Sequence, residues 1–446
     1  MAKKTLIQNG TLVNEGKKFQ SDLLIEGGRI SKIETTIPVE TDMEVIDAIG
    51  MLVLPGMIDD QVHFREPGLT HKATIRTESR AAVAGGITSF MEMPNTNPQT
   101  TTQDKLEAKF DIAAKDSLAN YSFMFGGTND NLEELLKTDG KKVAGIKLFL
   151  GSSTGNMLVD NPDTLRKIFS STQLPISVHC EDEATIRSNT EKAIAEFGED
   201  IPISEHPKIR SVDACYISSS QAIALAKETG ARLHIFHLST AKETALLEND
   251  KPLKDKKITA EVCVHHLWFS DLDYAEKGTH IKWNPAVKSQ SDQDALWEAL
   301  NDGRIDVLAT DHAPHTLEEK TNKYLKAPSG GPLVQHALVA LLEASKKGKI
   351  SIEKLVEKAC HNPAILFEIT ERGYLREGYY ADIVLINPNQ NWTVTKDNLL
   401  YQCGWSPFEG VEFSHEIDRT FVNGELVYSQ GKIIENQAAM RLTFNR

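Results

Sequence analysis

The chain has 446 residues, of which 40% are hydrophobic and 25% charged, an ordinary globular composition. That length exceeds one small domain and accommodates a large barrel plus a smaller unit. The net charge of −14 argues against nucleic acid or an anionic membrane as a main partner. A few local cations can still make an anion-binding cleft.

Met1-Ala2-Lys3-Lys4 has no long apolar run behind it, so no secretory signal is expected. No stretch of about 18 apolar residues suggests a membrane-spanning helix. The first fifty residues read as strands and hairpins. Thr5 to Val13 carries an Asn9-Gly10 turn signal, and Asp22 to Ile33 is split by Gly27-Gly28.

From Met57 onward, short apolar runs alternate with helical patterns. Strands are expected at Met57–His63, Thr88–Met93, Tyr121–Phe125, Gly145–Phe149, Pro175–His179, Leu233–His237, Thr259–Val264 and Asp306–Thr310. Helices fall between many of them, as at Asp213–Thr229, Ala241–Glu248 and Gln293–Asn301. Such β/α repeats imply a closed (β/α)8 TIM-type barrel over residues 56–372. Near Gly373 the chain returns to β signals: Ala381–Ile386, then Thr420–Val422 and Glu425–Tyr428 around Asn423-Gly424. Residues 1–55 and 373–446 are therefore expected to form one composite β-sandwich domain, because a lone hairpin is marginal.

Active sites of these barrels lie at the C-terminal strand ends. His63, His179, His237 and Asp311 all fall there, on separate strands. One such histidine signifies little; the set is a ligand field for Zn²⁺ or a similar divalent ion. Lys147 lies in the mostly apolar run Gly145 to Leu150. Protonated, it would repel a metal. Buried and neutral, it can add carbon dioxide and become a carboxylate-like carbamate. Cys180, Cys215, Cys263, Cys360 and Cys403 form no CxxC pair and are odd in number. They read as free thiols of a reducing compartment, with the cytoplasm as the expected location.

The chain resembles the amidohydrolase superfamily and, within it, the dihydroorotases of the cyclic-amidase branch. The resemblance spans nearly the whole chain. It is carried by Pro55-Gly56-Met57-Ile58-Asp59, Val62-His63-Phe64-Arg65-Glu66-Pro67-Gly68, Met93-Pro94-Asn95-Thr96, Gly145-Ile146-Lys147, Val178-His179-Cys180-Glu181, Asn284-Pro285 and Asp311-His312-Ala313-Pro314-His315. It implies reversible cyclisation of N-carbamoyl-L-aspartate to L-dihydroorotate. It also implies zinc, one or two ions per subunit, at His63, N6-carboxylated Lys147, His179, His237 and Asp311. Asp311 would double as the proton shuttle. Arg65, Asn95 and His315 would hold the substrate carboxylate, with Asn284 near the ring. A homodimer is implied, and association with aspartate carbamoyltransferase is a further possibility.

Three positions depart from the family pattern. Gln61 stands where the first histidine of His-x-His belongs, and an amide oxygen is a weaker zinc ligand than imidazole. Gln335 and Cys215 occupy positions where relatives usually carry glutamate. Two alternatives accompany the main reading: another cyclic amidase of the allantoinase, hydantoinase or dihydropyrimidinase type, or a catalytically inactive scaffold for aspartate carbamoyltransferase. Thr316 to Ser329 reads as a solvated loop, with a lid as the alternative. His265-His266 reads as packing or ligand support. His71, His206, His234, His280, His336, His361 and His415 carry no assigned role.

Overall fold

The computed structural model describes residues 4–151 and 157–446. Met1 to Lys3, read above for a leader, lie outside them. Eight parallel strands follow one another in chain order: Met57–Val62, Ile87–Glu92, Asn120–Gly126, Gly145–Phe149, Ile176–His179, Leu233–Ile235, Ile258–Cys263 and Val307–Ala309. Each expected strand is present, with ends moved by one or two residues. The first strand is buried along its whole length, as a strand covered on both faces must be.

The barrel closes where the first strand meets the eighth. His63 N–H donates to His312 O at 2.7 Å, and Val62 bridges His312 in parallel. The Asp59 carboxylate stitches the seam from inside, accepting from Thr310 N (3.1 Å) and Thr310 Oγ1 (2.6 Å).

Helices cover the outside. Val212–Thr229 starts on Ser211, whose hydroxyl accepts from Ala214 N, and stops at Gly230 in the left-handed region. Gln290–Asp302 likewise starts on Ser289 and ends at Gly303. The helix expected over 241–248 stops at Thr244. Beyond it, Leu246 and Leu247 N–H bond three residues back, which tightens the chain into a turn.

The two chain ends build a nine-stranded sheet. Leu52–Pro55 from the N-terminal part pairs antiparallel with Ile383–Asn387 from the C-terminal part, and so joins them. The Gly27-Gly28 and Asn423-Gly424 signals each fall between paired antiparallel strands, as expected. Asn9-Gly10 does not make a turn. Lys4–Asn14 is one strand with a bulge there, and the reversal comes at Glu15-Gly16. Asn9 takes a φ of 60°, its N–H is held by Asp22 Oδ1 at 2.9 Å, and a Cβ on Gly10 would lie 2.6 Å from Val53 Cγ2. The same residue types that favour a hairpin therefore let Val53 close over the strand.

Sheet and barrel are joined by a buried polar knot. Asp382 accepts from Arg372, from Asn120 Nδ2 (3.2 Å) and from Asn423 N (2.9 Å). Beyond the sheet, the chain returns to the barrel floor, where Leu442 and Phe444 pack with Met124, Phe236 and Phe367. Replacing Arg372 by Met would leave a buried carboxylate without its cation. This should lower unfolding stability by about 3 kcal/mol or more in a denaturant titration, with pocket geometry intact.

Candidate active site

A pocket of about 280 Å³ opens at the C-terminal strand ends. Its walls hold every residue singled out from sequence except His315: Gln61, His63, Arg65, Asn95, Lys147, His179, His237, Asn284 and Asp311. His315 stands behind Arg65, with Nε2 3.1 Å from Arg65 Nη2.

The ligand-type groups form two close pairs. His63 Nε2 is 3.1 Å from Asp311 Oδ1, and His179 Nδ1 is 3.0 Å from His237 Nε2. Lys147 is buried, and its amine has no hydrogen-bond partner. It lies over the Phe236 ring, 3.9 Å from the centroid. Burial drags its pKa from 10.5 to about 7, so the neutral amine is accessible near neutral pH.

Burial likewise pushes Asp311 up to about 7, against the pull of Lys147, His179 and Arg65. His63 and His237 are held well below the usual imidazole value, first by burial and then by neighbouring cations. His63 and His237 are thus neutral, and His237 Nδ1 also lacks a partner. Neutral nitrogens, a carboxylate and a buried, unpartnered amine suit a divalent cation.

Three site residues sit in the left-handed backbone region: Arg65 (φ 67°), His237 (φ 41°) and Asp311 (φ 49°). Such positions cost about 1–3 kcal/mol each and persist only when the surroundings dictate them. Arg65 O accepts from Leu69 N, and Arg65 Nε is tied to Pro314 O at 3.0 Å. His237 N donates to Glu261 Oε1 at 3.2 Å. Gly68 explains the end of the Arg-Glu-Pro-Gly string. With φ of 86°, it lies so near Asn97 that a Cβ would meet Asn97 O at 1.8 Å. That approach sets the loop bearing Arg65 against the loop bearing Asn95.

Several supporting residues, His265 apart, carry no assignment from sequence. Glu181 Oε2 lies 3.0 Å from His179 Nε2 and also receives Arg210, which lines the pocket. Burial opposes the Glu181 charge, but Arg210 and His179 outweigh it and bring its pKa to about 2. An ionised Glu181 holds the proton on His179 Nε2 and leaves Nδ1 as the lone pair beside His237. His265 stacks on Trp283 (4.4 Å between centroids, 14°), and His206 Nε2 lies 2.6 Å from Trp283 O. Both therefore set the backbone before Asn284. Only spacing hinted at this: Glu181 stands two residues after a strand-end histidine.

The departures from pattern have plain surroundings. The Cys263 thiol lies 3.6 Å from Gln61 Oε1. Gln335 ties the barrel to Asn398 and Leu400 through its amide. Cys215 is buried beside Ser239 and Lys288. All five cysteines are free.

The solvated-loop reading of 316–329 needs correction. Lys323 and Lys326 are exposed, but Lys320 is fully buried. Its amine donates to Gly330 O (2.8 Å), Pro328 O (3.0 Å) and Lys282 O (3.3 Å). Lys282 Nζ donates to Tyr324 O (2.7 Å) and Ala327 O (2.5 Å). Two buried amines thus pin an otherwise largely exposed segment, whose last residue, Ser329, lines the pocket.

Among the described residues, one group of histidine and carboxylates brings its ligand atoms within 4.8 Å of one another: Asp60, His234 and Glu261, all buried. His234 Nε2 is 3.3 Å from Asp60 and 3.2 Å from Glu261. Burial disfavours an imidazolium here, yet the two carboxylates raise its pKa to about 9. Glu261 is at the same time held well above the ordinary carboxyl value by burial and by Asp60, so the three groups share charge as one cluster.

Comparison with known proteins agrees with this geometry. A sequence model described as the amidohydrolase family matches residues 52–427. The chain is 32% identical to a dihydroorotase of Methanosarcina mazei, across 97% of this chain and 98% of that protein. It is 35% identical to one of Halobacterium salinarum (87% and 89% covered) and 32% identical to one of Clostridioides difficile (95% and 99%). Among solved structures, an L-hydantoinase (dihydropyrimidinase) of Arthrobacter aurescens superposes with a TM-score of 0.93 at 27% identity, covering 99% of both chains. A dihydropyrimidinase of Brevibacillus agri superposes with a TM-score of 0.88 at 27% identity, over 99% of this chain and 100% of that one.

The His234 triad predicts a pH dependence of stability. A pKa raised in the folded state stabilises fully below the unfolded value of 6.5 and ceases to do so as pH rises through about 9. Stability read in thermal melts should therefore fall as pH rises from 6.5 through 9. His234→Gln should start less stable and lack that component.

Proposed function

The chain belongs to the amidohydrolase family, and on that footing we propose that it is a dihydroorotase, interconverting N-carbamoyl-L-aspartate and L-dihydroorotate in pyrimidine synthesis. The observation that carries this reading is a carboxylate clamp beside the ligand pairs. Arg65 is buried, with burial lowering its pKa only to about 10, so it stays charged. Its Nε is engaged with Pro314 O, and Nη2 lies against His315. Asn95 Oδ1 faces His63 Nδ1 at 2.8 Å, which leaves the Asn95 amide N–H free to donate. A planar guanidinium suits a carboxylate. A neutral hydantoin or dihydropyrimidine ring offers it nothing of that charge.

His63, Lys147, His179, His237 and Asp311 would hold zinc, with Gln61 the weak member. Bound zinc supplies Lewis acidity toward the ring carbonyl and makes water a usable nucleophile near neutral pH. Lys147, neutral near pH 7, adds carbon dioxide at Nζ and releases one proton, becoming an anionic carbamate. Asp311, with a pKa near 7, takes a proton from the attacking water and returns it to the departing ring nitrogen. Ring closure runs the same transfers backward. The Arg65 group holds the substrate still while the amide bond forms or breaks. A cytoplasmic homodimer accords with this reading.

Arg65→Ala should cut kcat/KM on L-dihydroorotate roughly a hundredfold, the scale of a lost charged hydrogen-bond pair. Its effect on the neutral methyl ester should be small. Equal losses on acid and ester, measured in parallel assays, would remove the clamp from the argument. Gln61→His should raise zinc content, read by elemental analysis after dialysis, because imidazole replaces an amide oxygen. Wild-type protein that shows no turnover with zinc and bicarbonate supplied, while binding a carbamoyltransferase tightly, would instead indicate the scaffold.

A further inference from the structure

We infer that Arg210 is a specificity-determining residue that donates to the ureido carbonyl of the substrate, the oxygen at C2 of the dihydroorotate ring. The inference rests on the dihydroorotase reading and adds a recognition point that Arg65 does not supply. Arg210 stands at the end of the short helix His206–Ile209 and lines the pocket. Its Nη1 donates to Glu181 Oε2, on a fully buried carboxylate. The guanidinium makes no other hydrogen bond among the described residues, and its remaining N–H groups are left to the pocket.

Its place in the barrel decides which part of the substrate it meets. Arg65 follows the first barrel strand, and its Nε bonds to Pro314 O beyond the eighth. Glu181 follows the fifth, Ile176–His179, and draws Arg210 to that side. In a closed ring of eight strands the first and the fifth stand opposite each other. The two arginines therefore face the pocket from opposite sides, with the ligand-type groups between them. A dihydroorotate ring repeats that layout. With its C6 carboxylate at Arg65 and its reacting C4 carbonyl at the ligand-type groups, its C2 carbonyl projects away from the carboxylate, toward Arg210.

The surroundings of each arginine match its end of the substrate. Arg65 bonds to a carbonyl and an imidazole and has no carboxylate within ion-pair distance among the described residues, so it calls for an anion. Arg210 already has its counter-charge in Glu181. What it still offers is N–H donors, which suit a neutral carbonyl oxygen. A second carboxylate there would meet Glu181 as a like charge. In the same pocket, Asn284 Oδ1 is buried without a partner and can accept a ureido N–H. Donor and acceptor together complement the C=O and N–H of a ureido group, and a plain dicarboxylate leaves both unused.

The test compares two competitive inhibitors of the zinc-loaded enzyme: N-acetyl-L-aspartate, which keeps a carbonyl at this position, and succinate, which has both carboxylates and no such carbonyl. Arg210→Lys keeps a cation beside Glu181 but loses the planar fork. It should raise KM for dihydroorotate and Ki for N-acetyl-L-aspartate about tenfold, the scale of one hydrogen bond to a charged group. Ki for succinate should stay within about twofold, and zinc content should not change. An arginine that acts only through Glu181 and His179 would instead lower zinc content or weaken both inhibitors alike, and either result would overturn the inference. So would an unchanged Ki for N-acetyl-L-aspartate. Should Arg210→Lys fail to fold, wild type still decides: it should bind N-acetyl-L-aspartate about tenfold more tightly than succinate, and equal Ki values would remove the carbonyl subsite. Wild type that turns over no dihydroorotate refutes the dihydroorotase reading; normal kinetics in Arg210→Lys refute only the role of Arg210.

Discussion

The seam between the first and eighth barrel strands is the contact on which the rest depends. Its backbone link, His63 N to His312 O, joins residues at opposite ends of the barrel sequence. Closing so long a loop costs only slowly more entropy with length, and the Asp59–Thr310 bonds help repay it in a dry interior. Once the seam forms, His63 faces Asp311 and Arg65 faces His315 without further adjustment. The His63–Asp311 and Arg65–His315 contacts at the pocket are therefore products of barrel closure. The other ligand pair, His179 and His237, comes from adjacent strands and needs only local register.

Charge in a dry core sets the second constraint. Burial moves Lys147 and Asp311 toward the same value near 7 from opposite directions, by disfavouring the charged form of each. Deeper in the barrel the same burial meets a different neighbourhood. His234 faces two carboxylates and is driven up to about 9, while Glu181 faces a guanidinium and falls to about 2. Identical desolvation therefore yields a poised pair at the pocket and locked charges behind it. The locked groups orient the poised ones: Glu261 holds the His237 backbone, and Glu181 sets the His179 tautomer.

The barrel was legible in the chain because its strands are continuous apolar runs and its site residues occupy strand ends, both patterns of short sequence range. Most of the residues that line the pocket were legible by resemblance to motifs. Other features depend on partners far away in sequence. Asn9-Gly10 carries hairpin chemistry, but Val53 across the sheet makes it a bulge. Lys320 looks like any loop lysine until three carbonyls surround it. His234 has a role only because Asp60 and Glu261, each on another strand, converge on it.

Taken together, the pocket is incomplete in two opposite senses. On the Arg65 side it holds a buried guanidinium, a charge that an anion balances. On the Lys147 side it gathers neutral nitrogens, a carboxylate and an unpartnered amine, a deficit that a cation fills. A substrate with a carboxylate at one end and a reacting carbonyl at the other satisfies both at once and is oriented by doing so. A neutral ring satisfies one side and leaves buried donors unpaired, a penalty of about 1–3 kcal/mol for each. Discrimination against neutral cyclic amides then follows from what the free pocket lacks, without any added steric block.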